Sequence, residues 1–285
     1  MRADERFLNQ PKHFWAHVRS ISEKIGYTAR RTKQIRVPTI AEMAAALESL
    51  GLGTRHLATE SGKPTPLGRS LVAYFEFRAA LLNHKVEPLL MDSAAASRLY
   101  NEVKRRTKSS LTIPMNKQKG KKRKPAYFTA IINMLIAENL RQLPCDFSPR
   151  RLTTFTQGSV PLRTLARWVD GAFPGAVNPI AVWEIKEYYY TTTFGSRVAD
   201  GVYETLLDGM ELEELRVAEG VRCRHYLMVD SHYTWWKCGR SYLCRLIDML
   251  HMGYVDEVLF GREVVDRLPR LVREWAREYR ASQQR

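Results

Sequence analysis

The stretch that decides how this chain is read runs from Arg163 to Tyr188: Arg163–Asp170, the turn-rich Gly171-Ala172-Phe173-Pro174-Gly175, Asn178-Pro179, and Ile180-Ala181-Val182-Trp183-Glu184-Ile185-Lys186-Glu187-Tyr188. Arg163–Asp170 and Ile180–Tyr188 read as two strands joined by turn residues. Strand side chains alternate, so Glu184 and Lys186 share one face while Ala181, Trp183 and Ile185 point to the other. Asp170 ends its strand at the Gly171 turn, and the returning strand brings Glu184 beside it. Two neighbouring carboxylates repel unless a cation neutralises them. Mg2+ suits that position, because it takes carboxylate and water oxygens and leaves room for a phosphate. A lysine next to it orients or deprotonates an attacking water.

An acid two residues before a lysine is not in itself informative, since Glu102 and Lys104 have the same spacing. Those two lie in a predicted helix, Ser93–Thr107, and point apart, whereas Glu184 and Lys186 lie in an apolar strand. Residues 151–285 contain 16 arginines but only two lysines, Lys186 and Lys237. A lysine in mid-strand there points to a specific need.

Outward from this stretch, Arg151–Thr156 reads as a strand before it. After it come a helix over Phe194–Arg216 interrupted near Asp208-Gly209, a strand over Arg224–Val229, a helix over Gly239–Met252, a strand over Glu257–Phe260 and a helix over Glu263–Tyr279. The apolar Ala126–Leu140 reads as a helix ahead of all of these. The order helix, three strands, helix, strand, helix, strand, helix predicts a mixed α/β (α+β) sheet with helices on its faces. Upstream, helices are expected near Asn9–Ile25, over Ile40–Leu50 behind the N-cap Thr39, and over Leu67–Asn83. The turn-rich Thr54–Thr65, followed by Thr65-Pro-Leu-Gly-Arg69 opening a helix, resembles the end of a winged-helix module. This gives a helical, DNA-binding N-terminal part (1–108), a basic loop (109–125) and a catalytic core (126–285).

Asp170, followed after thirteen residues by Glu184-Ile185-Lys186 within that order of elements, resembles the PD-(D/E)XK nuclease core of type II restriction endonucleases, over roughly 125–260. Val169 stands where the nominal proline falls. The resemblance implies that Asp170 and Glu184 hold Mg2+, with the Ile185 carbonyl as a further ligand. It implies that Lys186 is catalytic, and that duplex DNA is cut to a 5′-phosphate and a 3′-hydroxyl. Many members also carry a glutamate on the helix before the first strand, and Glu138 is the sole acid of that helix here. A palindromic duplex further implies a two-fold homodimer.

The charge map agrees with a polyanion partner. Of the net +15, residues 1–100 carry +6, residues 101–150 carry +9 and residues 151–285 carry zero. The densest run, Lys117, Lys119, Lys121, Lys122, Arg123 and Lys124, holds Gly120 and is flanked by Pro114 and Pro125, which suits a loop on a phosphate backbone. Arg197 near a helix N-terminus, and His232, Lys237 and Arg240 in the aromatic-rich Asp230–Arg240 segment, are further candidate DNA contacts.

Other classes are disfavoured. No apolar run is long enough for a membrane span, and Met1–Asn9, with Arg2, Asp4, Glu5 and Arg6, does not read as a secretory leader. There is no glycine-rich phosphate loop, so no nucleotide cofactor is expected. Cys223, His225, His232 and Cys238 lack the spacing of a zinc site, and four irregular cysteines fit a reducing cytoplasm. The rival readings are a non-catalytic DNA-binding protein, in which the acids are structural, and a structure-directed repair or recombination nuclease.

Overall fold

Four strands form the central sheet: β3 (Gly171–Phe173), β4 (Ala181–Glu187), β5 (Arg224–Asp230) and β6 (Glu257–Phe260), in that spatial order. They belong to a computed structural model that describes residues 1–116, 120, 123–190 and 195–284, with side chains for all of these but Ser196 and Arg197. β3 runs antiparallel to β4, while β4, β5 and β6 run parallel. The parallel pairs are bridged by α7 (Ser196–Glu219) and α8 (Arg240–His251), the crossover that parallel pairing requires. β1 (Thr154–Gln157) and β2 (Val160–Thr164) form a separate two-stranded sheet, with Thr154 also bridging to Val177. They were expected in the main sheet. Val160 is exposed and neither strand presents a continuous apolar face to bury, so the hairpin stays at the periphery.

One face of the sheet is covered by α5 (Ser93–Thr107), α6 (Tyr127–Leu140) and α9 (Val264–Ser282), whose Leu99, Ile131, Leu135, Leu268 and Trp275 form one core with Trp183 and Tyr226. The other face is covered by α7 and α8, with Val198, Val202, Leu243 and Ile247 packed on Leu227 and Val229. The sheet is thus mixed and sandwiched between helices. α5, placed with the N-terminal part by sequence, belongs to this core, because Ala96, Leu99, Tyr100 and Val103 give it an apolar stripe that is buried in the same cluster as α6, α9 and Trp183.

Ahead of it, α1 (Glu5–Leu8), α2 (Lys12–Ile25), α3 (Ile40–Glu48) and α4 (Pro66–Leu81) build a separate aromatic core from Phe14, Trp15, Tyr74 and Phe75. Thr39 closes a capping box with Glu42, and Thr65 caps α4 ahead of Pro66. The hairpin expected between α3 and α4 is present as the Ala58–Pro64 bridge. This helical unit is fastened to α8 by a buried network in which Arg78 Nη1 donates to both oxygens of Asp248, at 2.8 and 3.0 Å, and Tyr74 Oη donates to Asp248 at 2.6 Å.

Two glycines expected to break elements instead serve packing. Gly171 opens β3: a Cβ there would stand 2.0 Å from the Trp183 ring, so the residue is glycine because an indole lies on it. Gly209 lies inside the unbroken α7, where a Cβ would meet the Tyr254 carbonyl at 2.4 Å. The Asp230–Arg240 segment is likewise core more than loop. His232–Cys238 is a short π-helical segment, with i→i+5 hydrogen bonding, and it buries Trp235 and Trp236.

Candidate active site

The alternation expected of β4 is what the strand shows. Trp183 stacks on Trp275 of α9, with ring centroids 5.7 Å apart, while Glu184 and Lys186 turn to the opposite face and meet α7. Gly201 lets α7 come this close, since a Cβ there would stand 3.2 Å from Lys186 Cδ. Asp170 stands one residue before β3, not at the end of a preceding strand. Backbone pairing then locks the two acids together: Asp170 N–H donates to the Trp183 carbonyl at 3.1 Å and to Glu184 Oε1 at 3.2 Å. In return, the Ile185 N–H donates to Asp170 Oδ2 at 2.9 Å.

Lys186 Nζ lies 2.8 Å from Glu184 Oε2 and 2.9 Å from Glu204 Oε2. Burial opposes its charge, but Glu184 and Asp170 outweigh burial and hold the ammonium protonated above the ordinary lysine range. A second cation, Arg167, reaches Glu184 at 3.0 Å, Asp208 at 2.6 Å and Glu204 at 3.3 Å. Burial and the nearby Glu184 push the Asp208 carboxyl up to about 7, and its Oδ1 is buried with no hydrogen-bond partner among the described residues. Glu204 is half-exposed and held down by Lys186 against the opposing effect of burial.

Arg167, Glu204 and Asp208 were not singled out by sequence. Glu204 and Asp208 are four residues apart on one helix face, and Gly201 is three before Glu204. That spacing is a signal of an acidic edge brought close to a strand. Arg167 sits in irregular backbone three residues before Asp170, and nothing in its local sequence marks it.

The other expected site residues are placed elsewhere. Glu138 is exposed near the far end of α6, 4.0 Å from Arg106, and is not brought to Lys186. The carboxylate that does meet α6 is Glu187, whose oxygens accept from the Phe128 and Thr129 N–H groups at 3.2 and 3.0 Å. It caps a helix start whose own N-cap position, Ala126, offers no side chain for the purpose. Arg240 is spent on the Trp236 ring and on the Trp236 and Lys33 carbonyls, and His232 lies 3.4 Å from Glu87. Lys237 is exposed. Arg123 and Lys124 are exposed at the base of the basic loop, which leaves and returns through the Met115–Pro125 bridge. Lys117, Lys119, Lys121, Lys122 and the Arg197 side chain lie outside the described residues.

The groups that contact Lys186 and Arg167 here are carboxylates, a donor set that fits a hard divalent cation such as Mg2+. Four carboxyl groups face two cationic side chains, which leaves negative charge for such an ion to offset. Yet among the described residues no three His, Cys, Asp or Glu side chains converge as a ready-made metal cage. Both Glu184 oxygens are engaged by Lys186 and Arg167, so metal entry requires those two contacts to loosen.

No curated protein and no solved structure matches the chain. Residues 1–85 match a domain of unknown function, DUF7690, which covers the helical unit. Residues 91–275 match another, DUF7687, whose start falls just ahead of α5 and so agrees with that helix packing on the sheet. Because this second match spans most of the sequence, the chain belongs to the DUF7687 family, a domain family of unknown function.

Proposed function

We propose that the protein is a Mg2+-dependent endonuclease acting on duplex DNA, in the manner of a type II restriction enzyme with a PD-(D/E)XK core. One observation carries this reading. Asp170 and Glu184 are fixed to each other by main-chain hydrogen bonds, and Lys186 lies 2.8 Å from the second of them on the same face of the same strand. The strand order, with β3 antiparallel to β4 and β4 parallel to β5, supports it, as does the basic loop.

Asp170, Glu184 and the Ile185 carbonyl would hold the metal, which when bound would lower the pKa of a water and shield the phosphate. Lys186, as an ammonium, donates to the attacking water or to a non-bridging phosphate oxygen and so fixes the line of attack. The water oxygen forms a bond to phosphorus and gives up a proton to solvent, the bond to the 3′-oxygen breaks, and that oxygen takes a proton from solvent to leave as the hydroxyl. Arg167 positions Glu184 and does not touch the substrate. Glu204, half-exposed above Lys186, has to swing aside before a phosphate reaches the ammonium. A two-fold homodimer would present one such site to each strand.

A second reading, a DNA-binding protein in which the cluster is a structural ion network, is favoured by one fact: both Glu184 oxygens already have cationic partners. Incubation with plasmid DNA in Mg2+ and in EDTA separates the two. Discrete fragments that require Mg2+ support the endonuclease and a specific site, a smear supports a repair-type nuclease, and intact DNA in both supports the binding protein.

A further inference from the structure

The neutral total of residues 151–285 hides a separation of charge. α9 carries Arg270, Arg273, Arg277 and Arg280, spaced three, four and three apart and therefore on one face. All four are exposed, and together with Arg141 after α6 and Arg106 on α5 they line an open groove of about 990 Å3. Among the described residues, the acids that share it are Glu138 and Glu274. Glu138 is 4.0 Å from Arg106, and Glu274 is 3.8 Å from Arg2, which is not part of the groove. A further acid of α9, Glu278, is drawn off to Arg224 at the start of β5. Six arginines against two glutamates leave the groove strongly positive.

The chemistry of this surface selects phosphate. A guanidinium presents paired donors that match phosphate oxygens, and it keeps its charge at any working pH. The row from Arg270 to Arg280 extends about 15 Å at 1.5 Å per residue. Over that length a duplex presents about nine backbone charges. An open groove of this length suits a polymer better than a single small anion. It also lies on the wrong side of the sheet for cutting. Trp183 packs on α9 while the next residue, Glu184, faces α7, so the groove and the acid–lysine cluster occupy opposite layers.

We propose that this groove is a second DNA-binding surface, holding the phosphate backbone of a duplex segment other than the one at Lys186. The groove itself needs only duplex DNA as its ligand, so its assignment stands whether or not the protein cuts.

The test is binding of a fluorescein-labelled duplex to the full chain in EDTA, measured by anisotropy across a salt series. Arg270→Gln/Arg277→Gln should weaken binding at least about tenfold at low salt and lower the slope of log K against log salt by about 1.8, near 0.9 for each lost contact. Arg270→Lys/Arg277→Lys, which keeps the charge, should retain most of that slope. If thermal melting shows that the double glutamine variant does not fold, Arg277→Gln alone carries the test, with a slope change of about 0.9. A folded variant with unchanged affinity and slope overturns the proposal, as does a parent protein that binds no duplex. Failure of the parent to cut DNA bears on the endonuclease reading and leaves the slope result standing.

Discussion

Lys186 on β4 and Glu204 on α7, eighteen positions apart, form an ion pair of 2.9 Å, and through it α7 covers the acid–lysine cluster. On the proposed reading, Glu204 takes the place on Lys186 that a substrate phosphate would use.

Removing that carboxylate should open the site. Glu204→Ala is expected to tighten duplex binding about fivefold, the scale of about 1 kcal/mol for one charge pair at 4 Å in water. Its effect on melting should correspond to less than about 1 kcal/mol, because Glu204 is half-exposed and the buried Lys186 keeps its ion pair with Glu184. Weaker binding by the variant would show that Glu204 builds the site instead of covering it.

Arg78 makes the buried ionic link between the helical unit and α8, beside the Met1 ammonium on Glu263 and the Asp4 N–H on His251. The Arg78 side chain is buried, and with Tyr74 it donates hydrogen bonds to the Asp248 carboxylate. Arg78→Met should destabilise the protein by about 3–5 kcal/mol, because it leaves Asp248 charged and buried without its cation. Denaturant unfolding measures this, and a loss below about 1 kcal/mol would mean that the other contacts hold the units together.

Gly171→Ala forces a methyl group into the Trp183 ring. A cost of about 1–3 kcal/mol is expected from overpacking. The spacing of Asp170 and Glu184 should suffer too, since both are adjacent to the displaced residues. Unchanged melting would contradict the reading of Gly171 as a packing glycine.

Asp208 sets a pH dependence. Its carboxyl, pushed up to about 7 from an ordinary value of 3.8, binds a proton in the folded state over a range where the unfolded chain has released it. Its contribution to stability therefore falls as pH rises from about 4 to about 7. Asp208→Asn removes that loss. The melting temperature of the variant relative to the parent should rise between pH 5 and pH 8, and a constant difference would sink the assignment.

Much of the architecture was legible in the sequence because it is encoded locally. Thr39 and Thr65 mark helix starts, α5 lies where its pattern put it, and the period-two alternation around Glu184 and Lys186 fixed which side chains share a face. The errors came from contacts between distant residues. Gly171 and Gly209 read as breaks because nothing nearby announces that Trp183 and Tyr254 press on them. Arg167 escaped notice because its partners arrive from β4 and α7. Glu138 was favoured as the only acid of α6, but its position near the far end of the helix carries it to Arg106. The charge count missed the α9 groove because summing along the chain erases a face.

On the proposed reading, Asp170, Glu184 and Lys186 cut DNA with Mg2+. The most direct test compares the parent with Lys186→Ala and Asp170→Ala for duplex cleavage in Mg2+ and, on the same samples, for duplex binding in EDTA. The account predicts that all three bind and only the parent cuts. Cleavage retained by Lys186→Ala, or DNA left intact by a parent that binds it, would contradict the account.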